Sequence, residues 1–194
     1  VRLKQQNVPG WDEKFYTTSS SLLEQINILS QTASEFSSFA KFYNEDNRVF
    51  DMVALIKDQL LFFDNRDNIK FEFITEEIQA DILAKKDQIT RVLVNLISNA
   101  IQAIEYCDAG LIRISLQKKG EFYSISIEDN GEGVKEENLI KLFKPNFTTK
   151  SSGTGLGLAI CKSIIDQSNG NISYHKSEIG GANFTFELPI YQKG

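Results

Sequence analysis

Between residues 87 and 105 the chain places Ile89, Val92, Leu93, Leu96, Ile97, Ala100, Ile101 and Ile104 at spacings of three and four. That repeat puts all eight on one side of an α-helix and gives it a well-defined buried face. Asn95 and Asn99 stand four apart on the same helix, flanking the stripe, and Gln102 joins them one turn on. Asparagine is a middling helix former, and capping cannot place it in mid-helix. Two readings remain open. The amides form a solvated flank, or the Asn99 oxygen coordinates a hard cation such as magnesium, which takes oxygen ligands.

Period-two alternation marks the strands. Ile69, Phe71 and Phe73 alternate with polar neighbours, residues 111–116 and 122–128 pair around Lys119-Gly120 as a hairpin, and residues 172–176 and 183–188 close the chain around Gly180-Gly181. Pro189 ends the last of these. The run at 122–128 leads straight into Asp129-Asn130-Gly131-Glu132-Gly133-Val134. A carboxylate followed by two glycines one residue apart makes either a polar turn or an open one, against which a flat ligand can lie because no Cβ intervenes. In the second reading Asp129 is a fixed acceptor for an adenine amino group. Further on, a short polar helix is expected near 136–142, and residues 142–152 read as a mobile lid. Gly153-Thr154-Gly155-Leu156-Gly157-Leu158 opens a helix running to about Ser168, with backbone amides at its positive end that suit a phosphate.

The N-terminal part is of a different kind. Ser21-Leu22-Leu23-Glu24 has capping-box spacing, although the helix can begin earlier, near Asp12. Leu22, Ile26, Leu29, Ala33, Phe36, Ala40 and Tyr43 then form a heptad seam, which suits a helical hairpin or a dimer as well as an amphipathic helix on its own domain. The polar break at 44–47 divides a helical region, residues 1–47 with its helix at about 13–45, from a domain over 48–194. There, residues 48–51 form a short strand and Asp51 caps a helix through Phe63, with Val53, Ile56, Leu60 and Phe63 on one side. A net charge of -5 and a pI near 5.0 argue against a nucleic-acid surface. Cys107 and Cys161 have no metal-type spacing and fit two buried thiols in a reducing compartment. No apolar run approaches the ~20 residues of a bilayer span, so a cytoplasmic location without membrane contact is expected here, whatever anchors a larger parent.

Spacing excludes several nucleotide sites. No Gly-x-x-x-x-Gly-Lys-Ser/Thr is present, Leu158 stands where a dinucleotide fingerprint needs its third glycine, and the protein-kinase triplets are missing. Taken together, NLISNA (95–100), DNGEG (129–133), LFKPNFTTK (142–150), GTGLGL (153–158) and GANFTFELP (181–189) resemble the N, first glycine, F and second glycine boxes and the closing strand of sensor histidine kinases. The seam helix resembles the second dimerisation helix of nitrogen-sensor-like members. The resemblance implies a Bergerat-type (GHKL) two-layer α/β sandwich, a mixed sheet of about five strands with helices on one face, behind a long dimerisation helix. It also implies ATP and Mg2+ as ligands, a response-regulator receiver domain as partner, and a homodimer. By the same resemblance Asp129 holds the adenine amino group with Thr185 in support through water, and Gly131 and Gly133 border the base. Asn99 carries magnesium with Asn95, and Gln102 lies near. Gly153, Thr154, Gly155, Leu156, Gly157 and Leu158 meet the phosphates, and Lys150 belongs to the closing segment.

The phosphoacceptor histidine of that family is missing. The only histidine, His175, sits in an expected strand, so the acceptor and its neighbouring acid are expected upstream of Val1, and the chain by itself should bind ATP without phosphorylating itself. An ATPase or serine kinase of the same fold is the first alternative. Its general-base glutamate would stand where this chain has Asn95. A non-catalytic nucleotide module is the second, since Lys144 and Asn146 replace the acidic and aromatic residues common in the F box.

Overall fold

The computed structural model describes residues 11–23, 25–26, 46–63, 68–105, 107–149 and 154–192. They belong to two units, Val1–Asn44 with Thr148–Thr154, and Glu45–Phe147 with Gly155–Gly194. The larger unit runs β1 (Arg48–Asp51), α1 (Met52–Phe63), β2 (Ile69–Thr75), β3 (Asp81–Ala84), α2 (Lys86–Ala103), β4 (Gly110–Lys119), β5 (Phe122–Asp129), a 3-10 helix (Glu136–Lys141), α3 (Gly157–Gln167), β6 (Asn171–Lys176) and β7 (Ala182–Pro189).

The strand-to-helix switch at Asp51 has a local cause. Its carboxylate accepts the N–H groups of Val53 (3.0 Å) and Ala54 (3.3 Å), donors that the first turn of α1 cannot satisfy internally. The same oxygen that holds Val53 also accepts the N–H of Ala80 at 2.8 Å, tying the start of α1 to the residue before β3. Val53 and Ile56 of the expected face are buried, and Leu60 and Phe63 pack partly against the core.

Strands β2-β4-β5-β7-β6 form one sheet, and β1 and β3 a separate antiparallel ribbon. Within the larger sheet only β2 and β4 run parallel. Register decides the two faces. Ile114, Ile127, Phe184 and Tyr174 line up across four strands, as do Leu116, Ile125, Phe186 and Ile172. These rows and the α2 stripe, all eight of whose apolar residues are buried, enclose the core with Cys161, Ile164 and Ile165 of α3. The other face is polar. Ser115, Ser126, Thr185 and Ser173 form one row on it, with Ser115 and Ser126 hydroxyls 2.6 Å apart. Glu72 and Arg113, directly opposite across the parallel pair, join at 3.1 Å. A two-layer α/β sandwich with a mixed five-stranded sheet is thus the observed architecture.

Several expectations need correction. The four-residue β3 was not anticipated: Ile82 and Ala84 alternate inward, too short a run to stand out from its surroundings. Helix α3 starts at Gly157 rather than Gly153, because Gly155 adopts φ of +68°, which ends right-handed helix on its N-terminal side. Cys161 is buried as expected, whereas Cys107 is only half-buried.

In the smaller unit, residues 11–23 and 25–26 are helical, so Ser21-Glu24 does not mark the start of that helix. Leu22 and Ile26 of the seam are exposed, at 54% and 58%. Leu29, Ala33, Phe36, Ala40 and Tyr43 lie outside the described residues. Among the described residues no helix is long and apolar enough to cross a membrane.

Candidate functional site

Asp129 ends β5 opposite Ile112, on the helix-covered face of the sheet, and is only 2% exposed. Burial of a carboxylate demands donors, and the backbone supplies them: Oδ1 accepts the N–H of Gly131 at 2.9 Å and of Ala182 at 3.2 Å. The Asp129 carbonyl accepts the N–H of Gly181 at 3.0 Å. The acceptor is therefore fixed by main chain from both its own turn and the β6–β7 turn.

Two close approaches explain why glycine occupies this turn and its neighbour. A Cβ on Gly131 would stand 2.5 Å from the carbonyl oxygen of Ala103, the last residue of α2. A Cβ on Gly181 would run into Asp129 Oδ1 and lie 2.5 Å from the Gly131 nitrogen. Gly133 needs no Cβ for a different reason, a φ of +72°. Asn130 anchors the turn to the start of β4. Its Oδ1 accepts the Leu111 N–H at 2.8 Å and its Nδ2 donates to the Ala109 carbonyl at 2.9 Å. The Asn-Gly pair announces a turn in sequence, but the strand it grips is visible only in three dimensions.

Asn99 Nδ2 donates to Asn95 Oδ1 at 3.1 Å, and both side chains are half-buried on α2. Gly157, at the start of α3, comes so close that a Cβ there would lie 2.5 Å from Asn95 Nδ2. Leu156, at the N-cap of α3, supplies no side-chain cap, and Leu158 packs partly against the core. Gly155 abuts the backbone of Asn146 and Phe147, where a Cβ would stand 2.7 and 2.8 Å away. Gln102 is exposed. Lys150 and Gly153 lie outside the described residues, and Thr154 belongs to the smaller unit. Among the described residues no three or more His, Cys, Asp or Glu side chains cluster to hold a metal ion.

Thr185 does not join Asp129, which corrects the expectation of a shared water. It pairs with Ser126 and Ser173, so its side chain projects from the polar face, opposite to that of Asp129, and its hydroxyl donates to Asn183 Oδ1 at 2.9 Å. The neighbour that does reach the carboxylate is the backbone of Ala182, a residue sequence reasoning passed over. His175 pairs with Asn183 in the edge strand β6, on that same polar face, with Ser173 Oγ 3.3 Å from its Nε2.

Residues 84–192 match the family model described as histidine kinase-, DNA gyrase B-, and HSP90-like ATPase. The sensor histidine kinase ZraS of Escherichia coli O157:H7 is 34% identical over 172 residues, covering 87% of this chain and 37% of the relative. This chain spans less than half the length of such curated relatives. The catalytic domain of histidine kinase ThkA superposes with a TM-score of 0.69 at 35% identity, covering 75% of this chain and 96% of that domain. ThkA solved in complex with the response regulator TrrA gives a TM-score of 0.70 at 29% identity, covering 86% and 49% respectively.

Proposed function

We propose, on the premise that this chain belongs to the histidine kinase-, DNA gyrase B- and HSP90-like ATPase family and is a catalytic ATP-binding domain of the sensor-histidine-kinase kind, that it presents ATP to a histidine carried on another segment. The observation that carries the reading is the buried Asp129 carboxylate, held by two backbone N–H groups at the head of the Asp129–Gly133 turn. An ionised carboxylate only accepts hydrogen bonds. It therefore selects a purine bearing an exocyclic amino group at that position over one bearing a carbonyl. Gly131 and Gly133 border the ring, and the N–H groups of Gly155, Leu156, Gly157 and Leu158 at the start of α3 face the phosphates.

Asn99, held to Asn95 through its amide nitrogen, has the hard oxygen that fits magnesium, an ion content with one or two protein ligands and the rest from phosphates and water. When bound, the ion neutralises charge on the transferring phosphoryl group. Asn99 with Asn95 and Gln102 orients it from one side of α2. Hydrolysis is poorly served, since the side chain one turn before Asn99 is the Asn95 amide, which takes no proton near neutral pH. His175 lies on the opposite face of the sheet from Asp129, so the acceptor comes from elsewhere, and a response-regulator aspartate receives the group next, a partner suggested by the ThkA–TrrA complex. Residues 1–47 are assigned to a homodimerising helical region and 48–194 to the catalytic domain. The exposed Leu22 and Ile26 support that assignment.

Calorimetry with ATP and magnesium tests the reading. The unaltered chain is expected to bind, and Asp129→Asn to bind about tenfold or more weakly, the worth of a hydrogen bond to a charged group. Absence of heat with the unaltered chain overturns it.

A further inference from the structure

We infer that Tyr174 is a positioning residue for the nucleotide turn, acting across two strands from the edge of the sheet. This rests on the nucleotide reading of the site given above and adds to it a residue that no motif of the chain includes. Tyr174 lies on β6, opposite Phe184 of β7, which lies opposite Ile127 of β5. Ile127 precedes Asp129 by two residues, so Tyr174 projects from the same face as that carboxylate, one row further in. From there its hydroxyl oxygen accepts the N–H of Val134 at 3.3 Å.

Val134 follows Gly133, which has a φ of +72°, and residues 132–135 belong to no helix or strand. A backbone N–H in such a segment is not satisfied by a ladder and depends on a side chain or water. Tyr174 supplies that acceptor from a rigid base. Its ring meets Phe184 edge-on with centroids 5.5 Å apart, and Phe184 meets Phe143 in the same manner at 6.4 Å. Phe184 is itself 7% exposed. One aromatic group therefore supports both the exit of the Asp129–Gly133 turn and Phe143, at the start of the segment that precedes the second glycine box. Removing the hydroxyl alone frees the turn to leave its binding geometry, and the apparent affinity falls by the fraction of time it does so.

Tyr174→Phe keeps the ring and its packing and removes only the acceptor. Two measurements on the full chain are made side by side: calorimetric titration with ADP and magnesium, and hydrogen exchange at the Val134 amide without nucleotide. We expect ADP binding to weaken about 3- to 10-fold and Val134 exchange to accelerate by a similar factor, the range of a neutral hydrogen bond. The melting temperature should stay close to that of the unaltered chain. An unchanged Kd, or an unchanged Val134 exchange rate, in a variant of a chain that does bind ADP overturns the inference alone. No binding by the unaltered chain overturns the nucleotide reading, and this inference with it.

Discussion

Asp129 and Thr185 show how much rides on which side of a strand a residue occupies. Asp129 ends β5 and Thr185 stands in the middle of β7, and both suit a purine contact on paper. Yet β5 and β7 are antiparallel neighbours in which Ser126 faces Thr185, and Asp129 has the opposite parity. Thr185→Ala is accordingly expected to leave the calorimetric Kd for ATP within about twofold, the scatter of surface substitutions. Alternation alone would have allowed this to be read in advance, given the register, but register is a property of pairing and not of either strand. Cys161 is a second residue-scale case. Burial pushes its thiol up to about 12 from 9.0, so the folded state keeps a proton that the unfolded chain releases. Its contribution is complete below pH 9.0 and is lost between there and about 12, at about 1.4 kcal/mol per pH unit. Urea denaturation at about pH 8 and about pH 10.5 checks this, because Cys161→Ala should lack that part of the alkaline decline.

Among the elements, α2 was the most legible and β3 the least. Eight apolar side chains at helical spacing leave a helix no choice of face, and all eight are buried. β3 has four residues, and what makes it a strand is β1, its antiparallel partner about thirty residues earlier. The site divides in the same way. Asn95, Asn99, Asp129 and the glycines stood out because their chemistry is unusual for where they sit. Asn130, Ala182 and Tyr174 did not, since each acts through a partner distant in sequence. Asp51 is the element-scale test of local causes. It holds the N–H groups of Val53, Ala54 and Ala80 at once, so Asp51→Ala should cost about 2 kcal/mol, the upper end for an N-cap, as a lowered urea midpoint with an unchanged slope.

For the molecule as a whole, the placement of its single histidine yields a negative prediction. With His175 on the polar face and Asp129 on the helix-covered one, incubation with γ-labelled ATP should leave no acid-labile label on this chain, as read by gel autoradiography after acid and alkaline treatment. A stable phosphohistidine would contradict the division of labour proposed above. Helix α2 carries a different consequence. Its stripe holds up the sheet, its Asn95 touches the start of α3, and its last carbonyl backs Gly131. A molecule that grips this helix thereby opposes global unfolding, and saturation becomes measurable as heat resistance. At a hundred times Kd the linkage is worth about 2.7 kcal/mol, which for a chain of this size corresponds to roughly 5–10 °C in Tm. Dye-reported melting curves across a panel of nucleoside triphosphates would thus rank base preference with no phosphoacceptor in the tube.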